Sequence, residues 1–494
     1  MTASPDAAIA FFRNMFDRRS ADELQTIARI KRLRERFMAD KVLRDKIEAN
    51  LDDPSKIFKE YGFDGDAEAL RPIWDLKFAT EKGDEAAYAD YPEAQIWKSW
   101  FTDLLAHRRM LFELGEMAEI NPPFHAWRNR HILRNNSDLG KRNESITYPI
   151  VAYELCDGCS VGCWFCGISA EKFKGHAPYT EENAKLWRGM LKVMVDLFGT
   201  AAQTGFCYWA TDPMDSPDYP KYAEDHYRIT GLFPQMTTAA PLKDVALTRE
   251  VLALGEKYRC VINRFSILTL KILERVHAEF SADELLAVEL VIQGKGSILG
   301  KAIAGRAMDH KDRVSGDSGD TEVAVAEHGL GTVACVSGFL VNLPHRTVKL
   351  VTPCRASERW PKGYRVYEEA NFSTAQEYRE ALEGMIARHM PESLPADTPL
   401  AFRSDLEFVP GDGFFELKGE VTTHKVKGLS CLGTAAPLIA GGDKTPGDII
   451  ARLTEEGTDI FSVTQVLQDL FNLGFIEDDP VVLGQAPSAE NTHV

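Results

Sequence analysis

Positive charge is in short supply. Lysine and arginine number 57 against 74 aspartates and glutamates, a formal net charge of −17 over 494 residues. A general nucleic-acid binder needs a concentrated basic surface for phosphate contacts, and this balance argues against one. Long apolar runs are missing too: none approaches the roughly 18 residues that span a bilayer. The opening stretch, Met1 to Phe12, lacks the basic region of a secretory signal. The expected compartment is therefore the cytoplasm, with neither membrane nor nucleic acid as partner. Nine cysteines are too few for a disulfide scaffold in so long a chain. In a reducing compartment, clustered thiols bind metal or do chemistry instead. No repeat of solenoid type is present.

What is there suffices for several cores. The apolar fraction is 44% and includes 26 Phe and 8 Trp, and at roughly 150 residues per domain the length suggests about three domains. Residues 1–140 read as helical. Ser20-Ala-Asp-Glu23 is a capping box before Leu24, Ile27, Leu33 and Phe37. Asp53-Pro54 and Asn121-Pro122-Pro123 read as breaks. Residues 146–370 alternate strands (146–155, 205–210, 260–268, 286–293, 332–343, 347–352) with helices, one opened by Thr180-Glu-Glu. That pattern predicts a parallel α/β sheet or barrel with function at the carboxyl ends of the strands. An Asp-, Gly- and Ser-rich segment, about 306–330, reads as an exposed loop. Residues 371–400 read as a helix and a proline-rich linker. Residues 401–482 read as winged-helix-like, with helices started by Thr445-Pro446 and Ser462-Val-Thr-Gln465. The remainder, 483–494, reads as a flexible tail.

The cysteines are unevenly placed. Cys156, Cys159, Cys163 and Cys166 fall within eleven residues, while Cys207, Cys260, Cys335, Cys354 and Cys431 stand alone. Cys159-Ser-Val-Gly-Cys163-Trp-Phe-Cys166 has the spacing C-x3-C-x2-C. Three thiolates on one tight loop can hold three corners of a 4Fe-4S cluster and leave the fourth iron without a protein ligand. With Cys156 as a fourth ligand the same stretch can hold a structural zinc ion. Iron against zinc content separates the two.

This arrangement resembles the radical S-adenosylmethionine superfamily, whose signature is this spacing with an aromatic residue, here Phe165, before the third cysteine. The resemblance implies a partial (β/α)6 barrel between an N-terminal helical domain and a C-terminal winged-helix-like domain. It also implies one [4Fe-4S] cluster on Cys159, Cys163 and Cys166, S-adenosyl-L-methionine as cofactor, and a reductant such as flavodoxin or ferredoxin. Further cofactor contacts then fall at strand ends. Phe165 would lie against the adenine, and Thr211 and Asp212 would take the ammonium, where the superfamily carries a Gly-Gly-Glu-type segment. Thr237, Thr238, Arg264 and Ser266 would take the ribose and carboxylate. All of these also read as ordinary turn and strand-end residues.

Tyr153 to Gly167, Tyr208 to Asp215 and Thr352 to Ser357 look like the proteusin-type radical peptide epimerases, which convert L- to D-residues in ribosomally made precursor peptides. That likeness implies Cα hydrogen abstraction by a 5′-deoxyadenosyl radical and hydrogen return from a cysteine thiol on the opposite face. Cys354, just beyond a strand end, is the first candidate donor, and Cys335, inside a more continuous apolar run, the second. No paired cysteines follow Cys166, as auxiliary clusters would need, and no D-x-H-x-x-G cobalamin signature appears. Gly428 to Pro437, Gly441 to Ile450 and Asp469 to Ile476 resemble a winged-helix leader-recognition domain, which implies the precursor's leader as partner. Packing or dimerisation is the other use of such a domain. DNA binding is disfavoured because the candidate recognition helix, Thr464 to Asn472, has no Lys or Arg. The stretch ending Tyr61-Gly-Phe63 is faintly similar to Nif-eleven-type leaders, and otherwise reads as a helical cover. Two other classes stay open: a radical enzyme with another peptide or small-molecule substrate, and a non-catalytic cluster- or zinc-bearing binding protein.

Overall fold

In the computed structural model, which describes residues 5–63, 65–116, 119–258, 262–298, 302–310, 331–428 and 431–478, the chain is a mixed α/β protein. Its described residues form four small sheets, none closed into a barrel. Cys260, residues 311–330 of the Asp-, Gly- and Ser-rich segment, and the tail 483–494 lie outside the described residues. No described helix is long and apolar enough to cross a membrane.

The helical start follows its caps. Ser20 and Glu23 close a reciprocal capping box on α1 (Ala21–Ala39). The breaks expected at Pro54 and Pro122 are present, and each proline also opens the helix that follows. Pro54 is the first residue of the helix Pro54–Glu60, and Pro92 opens α2 (Pro92–Leu114). Asn121 caps α3 (Pro122–Leu139) by accepting from the Phe124 amide at 3.1 Å. Proline suits a first turn because the amide it lacks would have no partner there. α1 and α2 share a core of Ile27, Ile30, Leu33, Phe37, Trp97 and Trp100 that reaches Leu286. By contrast, α3 sends Phe124 and Trp127 into the central core.

The central region holds β1 (Val151–Glu154), β2 (Cys156–Asp157), β3 (Gly175–His176), α4 (Glu181–Phe198), α5 (Tyr219–Thr230), β4 (Thr237–Thr238), α6 (Val245–Tyr258), β5 (Asn263–Ile267), α7 (Leu270–Glu279), β6 (Val288–Ile292), β7 (Gly338–Asn342), β8 (Thr347–Pro353), β9 (Tyr364–Asn371) and α8 (Ala375–His389). Thr180 caps α4, whose Leu186, Met190, Leu191 and Met194 form one buried face. β4, β5 and β6 are parallel, with Arg264 in register between Thr237 and Glu289. β1 pairs parallel with β7, and β8 and β9 follow antiparallel. The strand expected at 205–210 is reduced to one parallel bridge, Ala152 to Phe206. It is held instead by Glu154, which accepts from the Ala210 amide at 2.9 Å and from Asn342 Nδ2 at 2.8 Å.

The C-terminal unit combines an antiparallel sheet of β10 (Glu407–Pro410), β11 (Phe414–Lys418) and β12 (Thr423–Lys427) with α9 (Leu432–Gly441), α10 (Pro446–Glu455) and α11 (Ile460–Asn472). It has its own core around Phe415, Leu417, Ala435, Ile449, Val466 and Leu470. Two expectations change. α9 was not anticipated, because Pro437 sits inside it. α11 begins three residues earlier than Ser462-Val-Thr-Gln465 suggests: Asp459 is its cap and accepts from the Ser462 amide at 2.8 Å.

Candidate functional site

The cysteine loop leaves the edge of the central core and is pinned from three sides. Gly158 has φ +79°, and a Cβ there would lie 2.3 Å from the Lys172 carbonyl, so only glycine lets the loop cross its returning arm. The Cys159 amide donates to Glu171 O at 2.9 Å beside that crossing. The Ser160 amide donates to Asp215 Oδ2 at 2.8 Å, and the same buried carboxylate binds the Ser160 hydroxyl and Lys243. On the far flank the Arg306 amide donates to Cys166 O at 3.0 Å.

Cys159, Cys163 and Cys166 line one cavity of about 850 Å³, together with Phe165 and Cys335. Cys156 does not line it; it is buried on β2, where burial pushes its thiol up. Burial also pushes Cys159 up to about 11. A hydrogen bond between Cys163 and Cys166 raises the first thiol and lowers the second, whose sulfur also accepts from the Ala170 amide at 3.4 Å. Among the described residues, no three such side chains converge on a point as the ligands of one metal ion would.

Five of the other candidates reach the same cavity: Thr211, Asp212, Thr237, Arg264 and Ser266. Thr238 does not; it is buried and donates to Asp212 Oδ1 at 2.7 Å. Asp212 also accepts from the Met214 amide at 3.0 Å and the Ala239 amide at 2.8 Å. Burial raises its pKa, while these bonds oppose the rise. Thr237 donates to the Tyr208 hydroxyl at 2.9 Å, which donates to Gln235 Oε1 at 2.6 Å. Arg264 Nε donates to Glu289 Oε2 at 2.9 Å, and Arg108 of α2 reaches the same oxygen at 2.5 Å.

Cys354 is not brought to the cavity. It is 1% exposed and faces a seam with the C-terminal unit, among Arg365, Asp138 and Arg134. β8 runs antiparallel to β7, so its carboxyl end lies at the amino end of β7, where the Ser337 and Thr352 hydroxyls are 3.0 Å apart, a placement that strand order alone does not reveal. Cys335, the second candidate, lines the cavity, and burial pushes its thiol up to about 12 against the pull of Arg264. The sequence reading missed Tyr208, Gln235, Glu289 and the whole α2 wall. The apolar spacing of α2 was legible but indistinguishable from that of a core helix.

Compared with known proteins, the chain is 42% identical over 469 residues to the "Uncharacterized protein y4wI" of Sinorhizobium fredii (strain NBRC 101917 / NGR234), covering 95% of this chain and 91% of that one. Residues 400–474, which span most of the separately cored C-terminal unit, match the family described as the protein y4wI C-terminal domain. No solved structure matches the chain.

Proposed function

The chain belongs to the y4wI family, a name that assigns no activity, and from the site itself we propose a radical S-adenosylmethionine peptide epimerase that converts L- to D-residues in a ribosomally made precursor peptide. One observation carries the reading: Cys159, Cys163 and Cys166, without Cys156, open with Phe165 and Cys335 into a single cavity. A zinc ion draws its thiolates to about 2.3 Å from one point, whereas an iron-sulfur cube takes each thiolate on a different iron. Three thiolates in a shared cavity with a fourth turned away suit the cube. When bound there, a [4Fe-4S] cluster with S-adenosyl-L-methionine supplies, on reduction by a flavodoxin- or ferredoxin-type donor, a 5′-deoxyadenosyl radical that takes a hydrogen atom.

This chain's own residues divide the remaining work. β1, the 205–210 segment, β4, β5 and β6 support the partial (β/α)6 barrel reading, with the cofactor at their carboxyl ends. Phe165 offers a face to the adenine. The Thr211 carbonyl is the better acceptor for the ammonium, since Asp212 is engaged by three donors and Thr238 acts through it. Thr237, Arg264 and Ser266 remain for the ribose and carboxylate. A peptide Cα radical is planar, so the face of hydrogen return sets its chirality. Cys335 is the donor this cavity favours over Cys354: its S–H bond breaks as the new Cα–H bond forms, and one electron and one proton from the reductant and solvent restore the thiol. Among the described residues the edge strand β12 has one paired neighbour, β11. A leader peptide adding as a strand at its free side would tether the core peptide near the cavity. The chemistry fits the reducing cytoplasm.

Coexpression with a neighbouring precursor gene in deuterated water, followed by chiral amino-acid analysis, tests the reading. Deuterium at Cα of D-residues supports it. Protein reconstituted anaerobically that binds zinc and not iron, or forms no 5′-deoxyadenosine under strong reductant, overturns it. Cys335→Ala should keep cofactor cleavage and lose D-residues while Cys354→Ala keeps both; the reverse result moves the donor role to Cys354.

A further inference from the structure

Resting on the epimerase reading, we infer that the residue inverted carries an apolar side chain and that helix α2 is the wall that seats it. The two sides of the cavity differ in kind. From β4 to β6 and the segment before them come Tyr208, Gln235, Thr237, Arg264 and Glu289 among apolar Leu268, Val288 and Leu290; from α2 come Trp97, Trp100, Phe101, Leu104, Leu105 and Leu111, with His107 and Arg108 beside them. These recur at three- and four-residue spacing, so one stripe of the helix faces the void. Although they line a concave site, Phe101 is 41% and Leu105 48% exposed. Trp100 also lines the cavity but is buried in the N-terminal core, so the exposed part of the stripe marks where covering is incomplete.

A two-sided cavity suits a two-sided occupant. The amides of a peptide would meet the hydrogen-bonding wall, and its side chain would meet α2. The charges on the helical side are already engaged. Arg108 pairs with Glu289, Lys31 pairs with Glu35, and the Arg34 guanidinium lies 5.8 Å from the ring centres of both Trp97 and Phe101. A lysine side chain entering there would give up its hydration with no new partner, and an aspartate would have to draw Arg34 off its rings or Arg108 off Glu289. A leucine- or valine-sized chain would remove apolar surface from water on both sides.

The test uses the full chain, reconstituted with iron and sulfide, and a probe pentapeptide, acetyl-Ala-Ala-X-Ala-Ala-amide, with photo-leucine at X. Irradiation and mass spectrometry should locate cross-links on residues 97–111. The peptide with X as leucine should displace the probe at roughly tenfold lower concentration than those with aspartate or lysine. Leu105→Asp, at a half-exposed position, should abolish that preference with an unchanged melting curve. Cross-links elsewhere, no specific labelling, or equal displacement by charged peptides overturn the inference. The two proposals fail separately. D-residues formed as readily at charged as at apolar positions would remove the apolar seat and leave the epimerase. Labelling of α2 with no D-residue formed in the coexpressed precursor would do the opposite.

Discussion

Two arginine clusters, one in the seam between α3, β9 and the C-terminal unit and one in the cavity wall, use the same chemistry to opposite ends. In the seam, Arg403 binds Asp138 at 2.6 Å and also Asp405, Arg365 binds Asp138 at 3.2 Å, and Arg134 binds Glu477 at 3.4 Å and also Asp478. The three guanidinium side chains are no more than 8% exposed. In the cavity wall, Arg264 and Arg108 share Glu289, and all three stay 35–37% exposed. Desolvated charges hold domains together because losing one partner strands the other, while charges that still face a void can be regrouped by a ligand. Burial and pairing alone therefore do not mark a functional site. An enclosed space with competent groups on its lining does, and the seam's own cysteine, Cys354, illustrates the difference.

The sharpest way to break this comparison is Arg403→Ala. It leaves Asp138 with Arg365 alone, takes the nearest cation from Asp405, and removes donors to Arg134 O at 3.2 Å and Gly474 O at 3.3 Å. Loss of one partner of a buried pair costs about 3–5 kcal/mol, measurable as a lower urea midpoint of the full chain. A loss below about 1 kcal/mol, the size of an exposed pair, would mean the seam is no different from the surface.

Acid should act next most strongly. His131, at the seam, is held well below its ordinary value first by burial and then by Arg134 and Arg130; burial likewise holds His226 down to about 4. Below pH about 6.5 the unfolded chain binds protons at these sites and the folded chain does not. Stability is thus full above that pH and falls as pH drops toward 4, by about 1.4 kcal/mol per unit for each histidine. Urea unfolding at pH 7 and pH 5 should show the loss, and His131→Asn should reduce it. A flat profile would show that neither histidine is kept neutral.

Asp215→Ala probes the cavity side. It removes the acceptor of the Ser160 amide and the partner of Lys243. Leaving a buried donor unsatisfied costs about 1–3 kcal/mol. Because Ser160 follows Cys159, iron bound per chain after reconstitution should fall more than the melting temperature does. A parallel fall of both would make Asp215 a mere fold residue.

How much of this was legible depended on whether the information was local. The Ser20–Glu23 capping box, the alternation of strands and helices and the thiol spacing are encoded within a few residues, and the sequence displays them. Pro54 and Pro122 each open a helix a few residues after another has ended, so the break is readable while the helix that starts there is not. Cys335 and Cys354 flank the same end of the β7–β8 hairpin, where the Ser337 and Thr352 hydroxyls are 3.0 Å apart, so which thiol reaches the cavity is set by the distant elements packed around that end, and β7 itself pairs with β1 across more than 180 residues of chain. Glu289 reads as an exposed charge on an alternating strand until register sets it beside Arg264 and α2 brings Arg108 to it. Long-range placement, rather than residue type, made these the unreadable part.

Glu289→Gln carries the smallest stability effect and separates the two clusters most directly. The amide keeps an oxygen for Arg264 and Arg108 but gives up the charge. With all three side chains over a third exposed, screening by water limits the cost to about 0.2–1 kcal/mol. The freed guanidinium of Arg264 then becomes available to an anionic group in the cavity, since its strongest competitor is gone. S-adenosylmethionine binding, followed by equilibrium dialysis of the reconstituted chain, should therefore strengthen or stay constant while the urea midpoint barely moves. A destabilisation matching that of Arg403→Ala would instead place Glu289 in the same class as the seam carboxylates, and the distinction between a joint and a site would have to rest on the thiols alone.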